Sequence, residues 1–472
     1  MEDTTQNQQL HENQVYQNQV HQNTEQRLDR LCQAADAGSL EQLKRMLSAM
    51  HPAEIAHFLE SSPIARRHVV WDLIDIENEG EILIEVSDEV RTSLVDEMES
   101  EELLQSVKNL DVDDIADILQ SLPESLIKIT LNGMDRQQRE RVEAVLAYDE
   151  DTAGGMMNTE ALTTRTDVSV DVVLRYLRLQ DDLLPLTDSL FIIDKYGHYL
   201  GVLPISKLLT SQPEEIVGDI YQESPAIDDH MASTEVAQLF EDRNYVSAPV
   251  IDEHGKLLGR ITIDDVVDVI RDESEQSMMS MAGLDVEEDL FAPVLSSVKR
   301  RALWLGTNLI TAFLAAWVIS QFSRTIEEAV ALAVLMGIVP SMGGIAGSQT
   351  LTLVIRSLAL GQISKANTRS LLNNEMLLGL INGIIWALIV FAISSLAFND
   401  TSIGIVIGIA MLLNLLIAPL AGVILPILLR KAGIDPALAG SVLLTTATDV
   451  VGYAAVLGLA TLLLPYLRTL FG

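Results

Sequence analysis

One carboxylate lies within a long apolar stretch near the C-terminus of the chain. In the segment TTATDVVGYAAVLGLATLLL, Thr445 and Thr446 precede Asp449 by about one helical turn, and Gly452 follows it by another. If the stretch crosses a membrane as a helix, these residues lie along one face of it. A carboxylate at mid-bilayer costs at least about 2.5 kcal/mol, so it is expected to face a polar pathway. The pattern predicts a cation site, and the alternative is a structural carboxylate bonded to a neighbouring helix.

A second apolar stretch contains residues that interrupt helices. The run from Pro340 to Gln349, PSMGGIAGSQ, holds one proline and three glycines. Such residues free backbone carbonyls and admit close helix contacts, as in the discontinuous helices of transporters, although small residues also serve ordinary helix packing. We expect a break within this run. Asn414 and Pro419 add polarity and a bend to a later span without identifying a substrate.

Five apolar stretches are long enough to cross a bilayer as helices. They cover about residues 302–322, 329–355, 376–398, 403–429 and 439–467. With the N-terminus inside, the cytoplasmic flanks carry eight basic residues and the outer flanks only Arg324 and Arg468. Because basic residues favour cytoplasmic loops, we expect a multi-pass protein of the plasma or inner membrane. Its N-terminus would be cytoplasmic and its C-terminus extracytoplasmic.

The charge is divided unevenly between the two ends of the chain. Residues 1–298 hold 61 Asp and Glu against 21 Lys and Arg, whereas residues 299–472 hold 6 against 10, which gives the totals of 67 and 31. The acidic part cannot attach to nucleic acid, because phosphate contacts need clustered Lys and Arg. Attraction of cations and a merely well-solvated surface both fit this excess.

Other features of the sequence exclude several classes of function. The single cysteine, Cys32, excludes an intrachain disulfide framework and fits a reducing compartment. The sequence has no GxxxxGK[ST] phosphate-binding loop, so nothing indicates ATP-driven pumping. We find no pairing of a nucleophile with a base and no His or Cys spacing typical of a metal enzyme, and we therefore expect no catalytic activity.

The first part of the chain is predicted to be a tail followed by a helical domain. Residues 1–26 are rich in Gln and Asn and are expected to be disordered. Residues 27–148 show amphipathic helix periods, and residues 51–63 match residues 111–123 at an offset of 60. Such an internal repeat predicts a solenoid-like stack of helical units.

The next part, residues 149–272, contains a strand–turn–strand–helix pattern twice. SLFIIDKYGHYLGVLPISKLL (189–209) matches SAPVIDEHGKLLGRITIDDVV (247–267) at an offset of 58, which places Gly197 on Gly255. In each copy an apolar strand ends in Asp and a turn with glycine follows. The repeat resembles a tandem pair of α/β cystathionine-β-synthase (CBS) modules.

The remaining segments lead to and through the membrane. Residues 273–298 are expected to form a connecting helix with a break at Ala282-Gly283, and residues 299–472 to form a five-helix α transmembrane domain. The predicted fold class is thus a multi-domain membrane protein. It combines an α-helical solenoid-like N-domain, a tandem α/β CBS pair, a connecting helix and five membrane helices.

This order of domains resembles the MgtE family of magnesium channels over about residues 30–472. The resemblance is close in YDEDTAGGMM (148–157), in the glycine-rich second span and in DPAL (435–438). It implies a homodimer with one pore, and Mg²⁺ as both substrate and regulator. It also implies that Asp449 of each subunit flanks a hydrated Mg²⁺, with the carbonyl of Thr445 and the backbone near Gly452 close by. Mg²⁺ dehydrates reluctantly, so a wide carboxylate-lined site suits it.

The second span departs from the family at two positions. Many members have Gly-Asn-x-Gly-Asn-Gln where this chain reads GIAGSQ (344–349), so both asparagines are missing. The departure bears on the preference for Mg²⁺ over Co²⁺ and Mn²⁺, and transport of Co²⁺ or other divalent ions stays open.

The same resemblance implies that cytoplasmic Mg²⁺ closes the pore by bridging acidic residues of three segments. The implied ligands in the helical domain are Glu81, Asp113 and Asp117, and those in the CBS pair and connecting helix are Asp265, Asp268 and Glu273. Without the resemblance, any one of these carboxylates would be interpreted as surface solvation.

The CBS pair is also a candidate for a regulatory adenine nucleotide such as ATP. The segment GRITIDD (259–265) resembles the module's Gly-x-x-Thr-x-x-Asp pattern, which would bring Thr262, Asp264 and Asp265 to a ribose and phosphate. The corresponding segment of the first copy, GVLPISK (201–207), lacks the acid. The sequence therefore allows one such site per chain, whereas many CBS modules are purely structural.

Two functions of different class remain at this point. A Mg²⁺-gated Mg²⁺ channel requires a polar pathway through the spans. A membrane-anchored sensor of cations or nucleotides, without transport, needs only apolar anchors. Asp449 and the interrupted second span favour the channel.

Overall fold

The fold is described by a computed structural model that covers Leu31, Gln33 and residues 39–180, 183–284, 290–292, 294–364 and 366–471. The chain forms two compact units. We call the one that extends to Ser274 the soluble unit, and the other, formed mainly by residues from Glu275 onward, the membrane unit. The predicted disordered tail, residues 1–26, lies outside the described residues.

The acidic helical domain, as far as it is described, consists of nine short α-helices that share one buried apolar core. Alternate helices pack against one another, with α2 on α4, α4 on α6 and α6 on α8, which is the stacking predicted for a solenoid. The helices are α1 (Leu40–Leu47), α2 (Pro52–Glu60), α3 (Ile64–Trp71), α4 (Ile76–Glu85), α5 (Asp88–Val95), α6 (Ser100–Ser106), α7 (Val112–Gln120), α8 (Glu124–Gly133) and α9 (Arg136–Val145).

Two buried arginines make the same contact in successive helix pairs. Arg67 Nε donates to the carbonyl oxygen of Leu59 at 2.8 Å, and Arg91 Nε donates to that of Leu83 at 2.7 Å. Both carbonyls lie in the last turn of the preceding helix, where intrahelical donors are lacking. The two contacts lie 24 residues apart, so the helix pairs α2–α3 and α4–α5 share one stabilising hydrogen bond.

The two α/β modules have the same topology, which confirms the predicted tandem repeat. In the first module β1 (Thr163–Arg165) is parallel to β2 (Ser189–Ile193), which is antiparallel to β3 (Tyr199–Pro204). The second module repeats this order with β4 (Ile227–Asp228), β5 (Ser247–Ile251) and β6 (Leu257–Thr262). The helices between the strands are α10 (Val170–Leu177), α11 (Ile205–Thr210), α12 (Val217–Ile220) and α13 (Ser233–Arg243).

The hairpin turns of the two modules contact each other symmetrically. Gly197 and Gly255 occupy the predicted turns with φ of +88° and +79°, a left-handed conformation that favours glycine. The carbonyl of Gly255 accepts from the Tyr199 N–H at 2.9 Å, and the carbonyl of Gly197 accepts from the Leu257 N–H at 3.0 Å. The same offset relates both pairs of residues, so the modules exchange equivalent hydrogen bonds.

A long helix, α14 (Ile263–Ala282), starts in the second module and continues beyond the predicted domain boundary at residues 272 and 273. The helix is continuous there because its sequence contains neither Pro nor Gly. It ends at the predicted break: Gly283 has φ of +72°, and a Cβ at this position would collide with the indole ring of Trp304. The expected connecting segment 273–298 therefore contains the end of α14 and the start of the next helix.

Within the described residues, five helical segments are long and apolar enough to cross a membrane, as predicted. The five segments are α15 (Val294–Ser320), α17 (Val330–Leu335) with α18 (Ile338–Ala359), α19 (Thr368–Phe398), α20 (Thr401–Lys431) and α21 (Pro436–Phe471). A short helix, α16 (Ser323–Glu328), follows α15, and α20 packs against α18, α19 and α21.

The interruption of the second span lies earlier than the sequence indicated. α18 continues unbroken through the glycine-rich run, and the break falls at Met336-Gly337, between α17 and α18. Pro340 is the third residue of α18, in a turn whose N–H groups need no intrahelical acceptor, so its ring is tolerated. The glycines serve close packing instead: a Cβ on Gly347 would lie 2.9 Å from the Leu444 side chain.

Polar contacts place the ends of several membrane helices at the same level. Arg468, near the end of α21, lies 3.7 Å from Asp400, which precedes α20. The hydroxyls of Thr325 in α16 and Thr461 in α21 are 2.7 Å apart. The loops before α17 and α20 and the end of α21 therefore lie on one side of the helical bundle.

Candidate functional site

An open groove of about 920 Å³ lies between α18 and α21 in the membrane unit. Polar side chains recur along one face of α18 at Ser341, Ser348 and Thr352, and α21 presents Thr445 and Asp449 one turn apart. The full lining is Pro340, Ser341, Gly344, Ile345, Ser348, Gln349, Thr352, Leu353, Thr445 and Asp449. Two of the three residues predicted for the cation site thus lie together.

Asp449 is half-buried and makes no hydrogen bond or ion pair with the described part of the chain. The structural alternative, a carboxylate bonded to a neighbouring helix, therefore has no partner there. The carbonyl of Thr445 accepts a hydrogen bond from the buried hydroxyl of Thr448 at 3.0 Å. That hydroxyl is also 3.0 Å from the Leu444 carbonyl, so it can turn away and leave Thr445 free to accept from a hydrated ion.

Gly452, the third predicted residue, is buried outside this lining and packs against α18. A Cβ at Gly452 would lie 2.7 Å from Cγ and 3.0 Å from Cα of Pro340. The absence of a side chain therefore sets how closely α21 approaches the first turn of α18. Gly452 thus sets the spacing of the two helices that bound the groove, and its part in a cation site stays a prediction.

A second acid, Glu375, lies within a candidate span. It was not predicted from the sequence. The third span was expected to begin at residue 376, but α19 begins at Thr368 and includes Glu375. Its Oε2 accepts from the hydroxyl of Thr350 on α18 at 2.7 Å. The two leucines at 371 and 372 could have indicated that the helix starts earlier.

A second candidate site lies where the helical domain meets the second CBS module. On α7, Asp111 occupies the N-cap and Asp113 and Asp114 the first turn, and one carboxylate oxygen from each lies within 4.8 Å of the others. On α14, Asp264 and Asp265 occupy the first turn. Both groups lie at helix N-termini, where the helix dipole favours negative charge. We call these five residues the acidic junction.

Asp113 is the most deeply buried member of the acidic junction. Its side chain is 7% exposed, and Oδ1 has no hydrogen-bond partner among the described residues. Burial, followed by the charges of Asp265 and Asp114, raises the pKa of Asp113 well above its usual range. A buried carboxylate oxygen without a partner, beside further carboxylates, is an arrangement that a divalent cation would complete.

Neighbouring carboxylates are perturbed in the same direction. Burial raises the pKa of Asp114, Asp117 and Asp265 to about 7, helped by the charges of Asp111, Glu150 and Asp264 respectively. Burial also raises the pKa of Asp268, which the adjacent Arg271 partly offsets. At neutral pH Asp114, Asp117 and Asp265 are therefore easily protonated unless a cation takes the place of the proton.

The predicted regulatory residues differ in their burial and in their distance along the fold from the acidic junction. Burial and then the charge of Asp265 raise the pKa of Asp113, whereas Glu81 lies on the exposed face of α4 and Glu273 is half-buried on α14. The regulatory prediction did not include Asp111, Asp114 or Asp264, and it assigned Asp264 to the nucleotide site instead. The runs DVDD (111–114) and DD (264–265), each at a helix start, were the available signal.

The residues predicted for a nucleotide are engaged at the start of α14. The Thr262 hydroxyl donates to Asp264 and also to Asp265 Oδ2 at 3.1 Å, while the Thr262 N–H donates to the same Oδ2 at 3.3 Å. Only the bond from the Thr262 N–H to Asp265 is of the kind found in a capping box. A ribose or phosphate would have to replace these bonds beside other carboxylates.

Segments of the chain match the models of three known protein domains. The family model described as a divalent cation transporter, MgtE, matches residues 336–459, the MgtE intracellular N domain matches residues 50–151, and the CBS domain matches residues 217–272. The magnesium transporter MgtE of Enterococcus faecalis is 31% identical over 327 residues, covering 69% of this chain and 72% of that protein. That of Thermus thermophilus is 28% identical over 441 residues, covering 92% and 98%.

Two solved structures resemble the soluble unit. The cytosolic domain of the Mg²⁺ channel MgtE in complex with ATP is 29% identical, with a TM-score of 0.47, and covers 51% of this chain and 99% of its own. The soluble part of a magnesium transporter is 22% identical, with a TM-score of 0.46, and covers 53% and 99%.

Proposed function

Because this chain belongs to the MgtE family of divalent cation transporters, we propose that it carries Mg²⁺ across the cell membrane along the groove lined by Asp449. The observation that carries this proposal is a half-buried carboxylate, unpaired within the described chain, facing a row of hydroxyls between two membrane helices. A passing cation stabilises such a carboxylate. Since Mg²⁺ holds its water ligands tightly, Ser341, Ser348 and Thr352 would contact its hydration shell rather than the metal.

The open form of the groove supports a homodimer. A groove bounded by α18 and α21 of one chain does not enclose an ion, and a second copy facing it would supply the missing wall and a second Asp449. Two carboxylates across a wide pathway would hold a hydrated Mg²⁺ more strongly than one. Other divalent ions such as Co²⁺ would compete for the same carboxylates.

The acidic junction supports regulation by cytoplasmic Mg²⁺. Asp113, Asp114 and Asp265 would hold the ion between α7 and α14, joining the helical domain to the helix that leads toward the membrane. Without the ion, these carboxylates repel one another and favour separation of the two elements. A shift of the gate from 1:99 to 99:1 needs about 5.5 kcal/mol of differential binding, which several coupled carboxylates supply more readily than one.

A regulatory adenine nucleotide is a separate proposal for the CBS pair. Because the carboxylates near Thr262 repel phosphates, ATP is expected to bind there as its Mg²⁺ complex. Equilibrium binding of ATP with and without Mg²⁺ tests this, and tight binding in chelator would contradict it.

Mg²⁺ influx into liposomes that contain the purified full-length protein tests the main proposal. We expect influx well above that of protein-free liposomes, and higher when Mg²⁺ is absent from the side of the soluble domains. The same assay with Co²⁺ ranks the two ions. Binding of Mg²⁺ without any influx would instead indicate a membrane-anchored sensor.

A further inference from the structure

A buried amide in the membrane unit has no role in the function proposed so far. Asn414 of α20 is 0% exposed and lies in an apolar core with Met411, Leu415 and Val339. Its Nδ2 donates to the carbonyl oxygen of Val339 at 2.7 Å, whereas its Oδ1 has no hydrogen-bond partner among the described residues. A position needed only for packing in such surroundings would be filled better by an apolar side chain, because an unpaired buried carbonyl is unfavourable.

The acceptor of this bond belongs to the first turn of α18. That turn does not continue a helix, because the break at Met336-Gly337 separates it from α17. Pro340 has no N–H, so the carbonyl of Met336 lacks the donor that would otherwise join the two helices across the break. The amide of Asn414 therefore fixes a turn that the backbone alone leaves poorly held.

Gly343 makes room for the amide. A Cβ on Gly343 would lie 2.8 Å from Cγ of Asn414. One of the glycines of the second span is thus explained by the side chain that it accommodates. Asn414 and Gly343 form a matched pair across the contact between α20 and α18.

The fixed turn faces the groove on its other side. Pro340, the residue after Val339, lines the groove with Asp449 and also packs against Gly452 one turn further along α21. Contacts thus run without a gap from Asn414 through Val339 and Pro340 to the helix that carries Asp449. A shift of the first turn of α18 would change the spacing between Pro340 and α21, and with it the width of the groove beside the carboxylate.

We propose that Asn414 is a positioning residue for ion conduction, which holds the first turn of α18 at the distance from α21 that a hydrated Mg²⁺ requires. This rests on the proposed function, because it concerns the same groove. Asn414 does not touch the ion, and it acts through Val339 and Pro340.

The test uses the full-length protein in liposomes with Asn414→Leu, Gly343→Ala and the double variant. Gly306→Ala is the control, because a Cβ at Gly306 meets no described atom within 4 Å. We expect each single variant to lower Mg²⁺ influx by about tenfold, because Asn414→Leu removes the hydrogen bond and Gly343→Ala displaces the amide that donates it. We also expect a changed ratio of Mg²⁺ to Co²⁺ influx, and a melting temperature of Asn414→Leu at or above that of the unmodified protein. The double variant should lose no more than either single variant.

Three results would overturn the proposal. One is influx by Asn414→Leu equal to that of the unmodified protein. Another is a double variant whose loss is the product of the single losses, since the two residues would then act separately. The third is a lower melting temperature with an unchanged ion ratio, which would make Asn414 a residue of the fold only. Absence of influx through the unmodified protein is a different result, and it would refute the proposed transport itself.

Discussion

Burial, and after it the charge of Asp265 at the start of α14, raises the pKa of Asp113 in α7, although the two residues lie in different domains of the soluble unit. Two acids that repel each other across an interface weaken that interface unless something positive lies between them. The repulsion that destabilises the acidic junction without a metal thus makes the stability of the junction depend on a divalent cation.

The first prediction concerns the compactness of the soluble unit. Millimolar Mg²⁺ is expected to protect the loops of the soluble unit from limited proteolysis in the full-length protein. Bound ions would remove the repulsion between the carboxylates of the acidic junction. The double variant Asp113→Asn with Asp265→Asn should show little dependence on Mg²⁺. Glu101→Gln, which changes an exposed carboxylate on α6 outside the acidic junction, is the matched control and should keep the protection. Identical digestion of the unmodified protein with and without Mg²⁺ would leave the acidic excess as simple solvation.

The second prediction concerns pH. The pKa values of Asp114, Asp117 and Asp265 are raised to about 7 from the usual 3.8. Raised carboxyl pKa values add stability that is complete below about pH 3.8 and is lost as the pH rises through about 7, at up to about 1.4 kcal/mol per pH unit and group. Without Mg²⁺, the soluble unit should therefore melt at a lower temperature at pH 8 than at pH 6.

Asp114→Asn should flatten this pH dependence, and millimolar Mg²⁺ should reduce it by stabilising the ionised form. Thermal unfolding followed at both pH values provides the measurement. A higher melting temperature at pH 8 in chelator would be incompatible with the raised pKa values.

The third prediction concerns Asp449. Asp449→Asn keeps the shape of the side chain and removes its charge, so Mg²⁺ influx should fall by at least about tenfold while membrane insertion and dimer formation persist. Asp400→Asn, which changes a carboxylate at the start of α20 outside the groove, is the control in the same liposome assay. Normal influx through Asp449→Asn would show that the ion passes elsewhere.

The fourth prediction concerns helix spacing at Gly452. In Gly452→Val the new side chain meets Pro340, where a Cβ alone would lie 2.7 Å from Cγ. Overpacking of this kind costs about 1–3 kcal/mol, so both the melting temperature and the influx should fall. Gly458→Val, on the same helix, is the control because no described atom lies within 4 Å of its Cβ position. Equal behaviour of the two variants would contradict the close packing.

The fifth prediction concerns orientation. A phosphatase fused after Gly472 should be active outside the cytoplasm, and one fused at the N-terminus inactive. The pair Arg468 and Asp400 places the end of α21 on the same side of the bundle as the loop before α20. An active N-terminal fusion would reverse the assignment that the basic flanks indicate.

Much of the fold was predictable because the sequence contains an internal repeat and long apolar stretches. The repeat at an offset of 58 predicted the two sheets of the CBS pair and both turn glycines. The long apolar stretches predicted the five membrane helices. The break in the second span was misplaced, because proline and glycine were interpreted as breakers although Pro340 lies in a first turn and Gly343 and Gly347 accept neighbouring side chains. Such packing partners, Asn414 and Leu444, are distant in sequence and cannot be inferred from local composition.

The candidate sites show the same division. Asp449 was found because a lone acid in an apolar helix is conspicuous, whereas Glu375 was missed because its helix starts a turn or two earlier than its apolar core. In the soluble unit, Asp113 and Asp265 were named only through a family resemblance. Their burial depends on how α7 meets α14, which no sequence period reveals.

The hydrogen bonds exchanged by Gly197 and Gly255 are those that two identical subunits would form across a two-fold axis, so the CBS pair has the architecture of a dimer fused into one chain. Its chemistry, however, has diverged. Where the second half has Asp264, Asp265 and Asp268, the first half has Ser206, Lys207 and Thr210. The two halves thus share a symmetric scaffold, but only the second has carboxylates at these three positions, and two of them, Asp264 and Asp265, belong to the acidic junction.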